Sequence, residues 1–377
     1  MDANTQTEKN EGFLDFFDQL EDPRIERCKK HPMAEILLLT LFGILCGCES
    51  WEDIEDYGKY KLDFLRRYLN YEFGIPSDDT LRRFFRALNP EKFNELFVGW
   101  MRTFLSSDHI DKVIALDGKA LRGSAHADNR ALYMLTAFAT ESKLVLAQQK
   151  VDTKSNEITA VPTVLAWLEL NGAIVTMDAM GCQKKIAQQI LDQGGDYLLA
   201  LKGNQETLSD DVRTYFMDPN QETTDFNETI NKGHGRIEER RCWVRSDINW
   251  LKEQHPDWAG LRSIVKIQST RWIGDKIQED ERYYISSLSP NAEHIQKAVR
   301  EHWAIENSQH WVLDVSFGED RSRIHLGHAP ENIGIIRRIA LNMIRMAKKD
   351  KRQSIKRFRK TLGWNDRGLE SVIDQFL

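Results

Sequence analysis

Cysteine is scarce and scattered in this sequence: five residues (Cys28, Cys46, Cys48, Cys182, Cys242), none in a CxxC pair. That pattern excludes a disulfide framework or a zinc finger and fits a reducing compartment, so the chain is expected in the cytoplasm. No run of about 18 apolar residues occurs, and no membrane span is expected. The longest apolar stretch, residues 36–48, reads as a buried helix. Residues 1–11 are polar and of mixed charge, unlike a secretory signal. The sequence also lacks a Walker phosphate loop, which argues against direct use of ATP, and lacks the zinc-protease spacing HExxH. No Ser, Cys or Tyr nucleophile motif stands out, and there is no internal repeat or low-complexity tract.

What the chain does have is length and a core. Its 377 residues allow two or three domains, and 41% hydrophobic content argues against disorder. The net charge of −6 speaks on its face against a nucleic-acid partner, but the charge is uneven. Residues 1–60 hold 14 acids against 6 bases, whereas residues 337–360 hold eleven Lys and Arg and a single acid, Asp350. Local basic patches of this kind can grip phosphates whatever the total; a solvated face or tail is the plainer reading.

Residues 11–107 read as all-helical, with helix-period apolar positions in 36–45, 64–69, 81–88 and 93–105. Ser77-Asp78-Asp79-Thr80 offers cap chemistry for the third of these. That helix carries Arg82, Arg83 and Arg86 beside Leu81, Phe84, Phe85 and Leu88, which suits either a DNA groove or an ordinary amphipathic packing helix. From Val113 the texture changes: strands at 113–116, 132–140 and 144–150, a helix at 161–170, a strand at 174–177, a helix at 184–193 and a strand at 197–201. The order β-β-β-α-β-α-β predicts a mixed sheet flanked by helices, an α/β fold. Residues 203–290 interrupt it with strands near 241–244, 262–269 and 281–288 and a polar loop at 221–231, a β-rich insertion. The expected division is 1–110 (helical), 111–350 (α/β with the insertion) and 351–377 (basic tail or helix).

Three carboxylates are the candidates for chemistry. Asp117 ends the apolar stretch Val113-Ile114-Ala115-Leu116 before a loop over 118–128, and Asp178 ends Ile174-Val175-Thr176-Met177 in the same way. Crevices beyond such strand ends are where open α/β sheets bind ligands. Glu306 lies in Ala304-Ile305-Glu306-Asn307, on a helix where His302, Glu306 and His310 fall at i, i+4 and i+8 on one face. Carboxylates drawn together repel, and a hard divalent cation relieves that repulsion through oxygen ligands. Turn caps for the Asp residues, satisfied core histidines at 302 and 310, and a His/Glu zinc site are the competing readings; the zinc site would leave both Asp strands unexplained. Asp314, Glu319 and Asp320 read as caps or surface charges.

Longer motifs carry a family resemblance. Asp117-Gly118-Lys119 with Leu121-Arg122-Gly123-Ser124, Thr176-Met177-Asp178-Ala179, Leu201-Lys202-Gly203-Asn204-Gln205, Lys232-Gly233-His234-Gly235-Arg236, Tyr283-Tyr284-Ile285-Ser286-Ser287-Leu288 and above all the run from His302-Trp303-Ala304-Ile305-Glu306-Asn307 to Phe317 resemble the H-repeat-associated transposases, a branch of the DDE insertion-sequence transposases. The resemblance covers residues 14–349. It implies a ribonuclease-H-like core in which Asp117, Asp178 and Glu306 hold two Mg²⁺ ions (Mn²⁺ as a substitute), behind a helical transposase-associated domain. It also implies a nucleoid-associated protein that binds double-stranded DNA, as a homodimer on two element ends, and cleaves and joins strands. Lys119, Arg122, Lys202, His234 and Arg236 are candidates for phosphate contact and Trp303 for base stacking. His302, Asn307 and His310 are possible supporting residues. The chain departs from the Tyr-Arg-Glu-Lys signature of related transposases, with His302 at the Arg position and Leu313 at the Lys position. A structure-specific nuclease without strand transfer, or an inactive DNA-binding descendant, shares the same motifs.

Overall fold

The helices that lead the chain are α1 (Phe13–Phe17), α2 (Met33–Leu45), α3 (Trp51–Tyr60), α4 (Leu62–Leu65), α5 (Asp78–Ala87) and α6 (Pro90–Phe104). The computed structural model describes residues 12–104, 113–125, 131–151, 157–220, 222–233, 235–350 and 352–376. Helix α3 is absent from the apolar spacing; it starts on Ser50, whose hydroxyl accepts from the Asp53 N–H at 3.1 Å. In α5 the Ser77 hydroxyl accepts from the Thr80 N–H at 3.3 Å, and Leu81, Phe84 and Phe85 are buried. Arg82 reaches Glu52 and Asp78, and Arg83 reaches Asp79, so two of the three arginines of this helix already have carboxylate partners.

The α/β part follows as β1 (Val113–Leu121), β2 (Leu132–Ala139), β3 (Leu144–Val151), α7 (Glu157–Ala166), β4 (Ile174–Met177), α8 (Lys184–Asp192), β5 (Asp196–Leu201) and α9 (Glu206–Met217). Next come β6 (Asp225–Gly233), β7 (Arg236–Arg245), α10 (Asn249–Gln254), β8 (Ser263–Ile273), β9 (Lys276–Ser286) and α11 (Ala292–His302), and then a π-helical turn over Glu306–His310. Helices α12 (Trp311–Ser316), α13 (Ala329–Ala347), α14 (Ile355–Trp364) and α15 (Asp366–Ile373) end the chain. The strands form one sheet in the order β3-β2-β1-β4-β5-β9-β8-β7-β6. Strands β1, β4 and β5 are parallel, and β2 and β3 run antiparallel beside them. This is the ribonuclease-H-like mixed sheet with a helical N-terminal region and a β-rich insertion.

Two expectations need correction. Strand β1 does not stop at Asp117. Its parallel ladder with β4 closes at the pair Leu116 and Met177, while its antiparallel ladder with β2 runs on to Leu121 opposite Leu132. The glycine at 118 permits this, because a Cβ there would lie 2.4 Å from the Tyr133 ring on β2. The second correction concerns the polar loop at 221–231. Most of it is strand β6, whose even-numbered residues face solvent, so no apolar alternation marked it. The insertion is not a separate sheet either: β9 pairs with β5 and carries β8, β7 and β6 outward from it.

One apolar cluster runs from Phe17 and Leu39 through Trp100, Ala115 and Val175 to Ile336 and Leu369. Helix α13 is its axle, packing on α2, α5, α6 and β3. Part of the basic run is spoken for by this core: Arg337, Arg338 and Arg359 are buried, and Arg359 Nε donates to the Ile44 carbonyl at 2.9 Å in the last turn of α2, while Lys349, Arg352, Lys356, Arg357 and Lys360 are exposed. Arginine forks suit such carbonyls, which a helix end leaves without partners. The broad phosphate footprint expected over 337–360 is therefore reduced to its outward residues. At the β3 edge, Asn342 of α13 bridges Val145, accepting from its N–H at 3.0 Å and donating to its carbonyl at 2.8 Å. Replacing Asn342 by Ala should lower the unfolding free energy by about 1–3 kcal/mol, read from the urea midpoint, because both backbone groups are then buried unpaired. An unchanged midpoint would show that the amide contributes nothing.

Candidate active site

The strand register places the two aspartates. Asp117 and Asp178 each follow the last pair of the β1–β4 ladder, so they sit side by side where the strands part. Asp178 also caps the short turn after it, accepting from the Met180 N–H at 2.9 Å. Glu306 comes from the opposite layer, at the start of the π turn. It lines, with Asp117, Asp178, His302, Lys202 and Trp303, a cleft of about 350 Å³.

Two histidines tie that layer to the two strands. His302 Nδ1 lies 3.0 Å from Thr176 Oγ1 on β4, and His310 Nδ1 lies 3.6 Å from Asp117 Oδ2 on β1. Glu306 does not share their inward face, as an unbroken α-helix would have it, but is exposed. From Glu306 onward the helix passes through a π turn, in which the Trp311 N–H reaches back five residues to the Glu306 carbonyl. Such insertions rotate everything that follows and are frequent at functional sites. Burial pushes His302 down to about 4, with Asp178 opposing, and pushes His310 down to about 3, helped by Lys119 and Arg338. Both rings are thus neutral between pH 5 and 8, and the His310–Asp117 contact is not an ion pair there. The group of the site whose ionisation does fall in that range is a different one.

That group is Asp117. Burial raises its carboxyl to about 7 against the Gly118 N–H, and the charges of Glu157, Asp178 and Glu306 raise it further. Glu157 is buried at the start of α7 and escaped the sequence reading, because an acid in a helix's first turn ordinarily only complements the helix dipole. The donors present are hard carboxylate oxygens that disfavour one another's charge, which is the chemistry a divalent cation answers. Among the described residues, no three His, Cys, Asp or Glu side chains already converge as a ligand cage.

The remaining candidates fall in three places. Lys202 and Trp303 line the cleft. Trp303 also borders an adjoining groove of about 790 Å³ between α11 and strands β7 to β9, lined by Arg236, Arg240, Arg271, Arg282 and Arg300 together with Glu238, Glu279 and Asp280 and reached by Asn307; Glu238 pairs with Arg240 and Arg271, and Asp280 with Arg282. The Arg282 guanidinium lies 4.2 Å from the Trp303 ring centroid. Lys119 and Arg122 face elsewhere. Lys119 is buried in ion pairs with Asp314 and with Glu319 at 3.2 Å, and Arg122 is exposed with its Nε 3.8 Å from Asp320. Glu319 is no surface charge: it is 1% exposed and shared by Lys119 and Arg338, the latter at 3.0 Å. Its close approach needs Gly123, where a Cβ would lie 2.8 Å from the Glu319 carbonyl oxygen. His234 lies outside the described residues.

Comparison with known proteins agrees with this layout. A family model described as "Transposase DDE domain" matches residues 108–343, and one described as "DDE_Tnp_1-associated" matches residues 14–101. The chain belongs to the DDE transposase family. Two relatives from Escherichia coli (strain K12), YbfL and the H repeat-associated protein YhhI, are each 44% identical over 84% of this chain and 85% of their own. YncI of Escherichia coli O157:H7 is 38% identical over 96% of this chain and 94% of its own. A solved piggyBac transposase synaptic complex with hairpin DNA covers 96% of this chain and 76% of its own at 10% identity, with a TM-score of 0.44, a likeness too slight to bear on function.

In this DDE domain the raised Asp117 has a consequence for stability. Its folded-state carboxyl, at about 7 against an ordinary 3.8, favours the fold fully below pH 3.8, and that contribution is lost as pH rises through about 7. Without divalent cations, Asp117→Asn should match the parent near pH 4 and become more stable above pH 7. The ceiling is about 4 kcal/mol, from three pH units at ~1.36 kcal/mol each. Urea unfolding at a series of pH values reads this directly; a gap between the two proteins that does not change with pH would remove Asp117 from the repelling cluster.

Proposed function

We propose that this protein is a DNA transposase that cleaves the ends of its own element and joins the freed 3′-hydroxyl to target DNA, with Asp117, Asp178 and Glu306 holding divalent ions, Mg²⁺ or Mn²⁺. The observation that carries the reading is that three carboxylates, distant in sequence, line one cleft of a DDE domain, with the Asp117 carboxyl raised by burial and further by the charges of Glu157, Asp178 and Glu306. A divalent ion held there supplies positive charge at which the attacking and leaving oxygens of a phosphodiester are both stabilised. The chain's own residues do the rest. Neutral His302 and His310 hold the helical layer against β4 and β1, so the carboxylates keep their spacing. Lys202, exposed at the end of β5, and the arginine groove beyond Trp303 give the strand its phosphate contacts. Trp303, 37% exposed and stacked by Arg282, offers a face to a base at the cleft mouth. The partner is then double-stranded DNA, and two ends call for a homodimer on DNA. No helix among the described residues is long and apolar enough to cross a membrane.

The test uses end-labelled duplexes carrying the element's termini, with Mg²⁺ and Mn²⁺. Cleaved and joined products should both form, and Asp178→Asn or Glu306→Gln should each reduce them by more than roughly a hundredfold at unchanged thermal stability. Cleavage without joined product would make the protein a nuclease; full Mg²⁺-dependent cleavage by either variant would take that residue out of the site.

A further inference from the structure

The nine-stranded sheet has two edges, and only one of them is closed. At β3 the outward backbone meets side-chain amides: Asn94 of α6 donates to the Gln148 carbonyl at 2.7 Å, and Asn342 bridges Val145. At β6 the first residues are pinned by α11, through Asp225 to the Ala292 N–H at 2.7 Å and through Asn227 to Gln296. Beyond Asn227, among the described residues, no side chain meets the outward backbone of the strand. An open edge of this length is a template for another strand, and proteins ordinarily blunt such edges.

The solvent face next to this edge sets large apolar side chains among its charged ones. Phe226, Ile230, Ile237 and Ile277 are four of the fourteen exposed large apolar side chains among the described residues, and all lie on this face of the two hairpins β6–β7 and β8–β9. Ile237, Trp272 and Ile277 are cross-strand neighbours in one row, and Phe226 packs on Trp243 in another. Phe226 and Ile230 bring the same face to the open edge, and no helix covers them.

The pattern of β6 selects its own partner. A two-fold axis normal to the sheet sets two β6 strands antiparallel, with even-numbered residues facing even-numbered ones. With Ile230 on the axis, Glu228 of each strand stands opposite Lys232 of the other, and the two isoleucines meet. Moving the axis to Thr229 sets Glu228 against Ile230 and Phe226 against Lys232, and moving it to Glu228 sets two acids face to face. Only the first register is complementary in both charge and apolarity. We propose that β6 is a homodimer interface, pairing antiparallel with β6 of a second copy about Ile230 and making one continuous sheet of the two chains. The interface does not rest on the transposase reading, because it forms without DNA.

Sedimentation of the full chain, without DNA and at moderate salt, tests it. The parent should sediment as a dimer. Glu228→Lys and Lys232→Glu should each shift it to monomer by setting like charges opposite, and the double variant should restore the dimer. In a Cys28→Ser background, Ile230→Cys should be captured as a covalent dimer by a short thiol-to-thiol cross-linker, since the two side chains meet on the axis. Circular dichroism should be unchanged in all of them, as these residues are exposed. A monomeric parent, a dimer indifferent to both charge reversals, or a double variant that stays monomeric would each overturn the proposal.

Discussion

A single buried carboxylate ties together the layers that carry the candidate site. Glu319 is 1% exposed and takes Lys119 from β1 on one side and Arg338 from α13 on the other. Burial alone would raise its carboxyl; Arg338 and Lys119 instead hold it down to about 2, so it stays ionised throughout the physiological range. Charges taken out of water this far are stable only when fully partnered, and removing one partner of such a set costs about 3–5 kcal/mol. The geometry explains why the set matters here. Lys119 is two residues past Asp117, and Asp314, its other partner, lies in α12 directly after the π turn. The strand that carries one carboxylate and the helix that carries another are therefore clamped through the same ammonium group.

The distribution of positive charge follows from the same need. In a chain of net charge −6, each inward arginine is one cation fewer at the surface. Much of the C-terminal basic run turns inward: Arg359 reaches the Ile44 and Ser316 carbonyls and Arg345 reaches that of Ser308 in the π turn. Lys202 lines the cleft, and the arginines of the insertion and α11 line the groove beyond Trp303, three of them paired there with Glu238 or Asp280. A planar fork with five donors satisfies carbonyls in the interior and phosphates at the surface equally well, so composition alone does not say which arginine does which.

Much of this was legible in the sequence. The β-β-β-α-β-α-β order gave the sheet, because buried parallel strands such as residues 174–177 are continuous apolar runs with sharp ends. Asp117 and Asp178 were legible for the same reason, since each follows such a run. Strand β6 was not, because a one-sided edge strand exposed on its outer face shows no apolar alternation. Glu157 and Glu319 were illegible in a different way. Each looks like a solvated acid at a helix start or turn, and only the long-range packing of α7, β1 and α13 buries it. The His302, Glu306, His310 stripe assumed 3.6 residues per turn throughout, which one π turn is enough to undo.

That π turn carries a penalty of its own. Gln309 within it is wholly buried with neither amide atom hydrogen-bonded to protein, and the backbone departs from the ordinary helical ladder. An unbroken helix from Glu306 onward would restore that ladder, but it would also turn His310 and the residues after it about the helix axis. The fold thus tolerates a local defect in the helix that carries Glu306, and tolerates Asp117 in surroundings that disfavour its charge. Neither feature improves stability, and both meet at the same cleft. Local rules broken together at one place, within a core that obeys them elsewhere, are what a site shaped by function and not by folding should show.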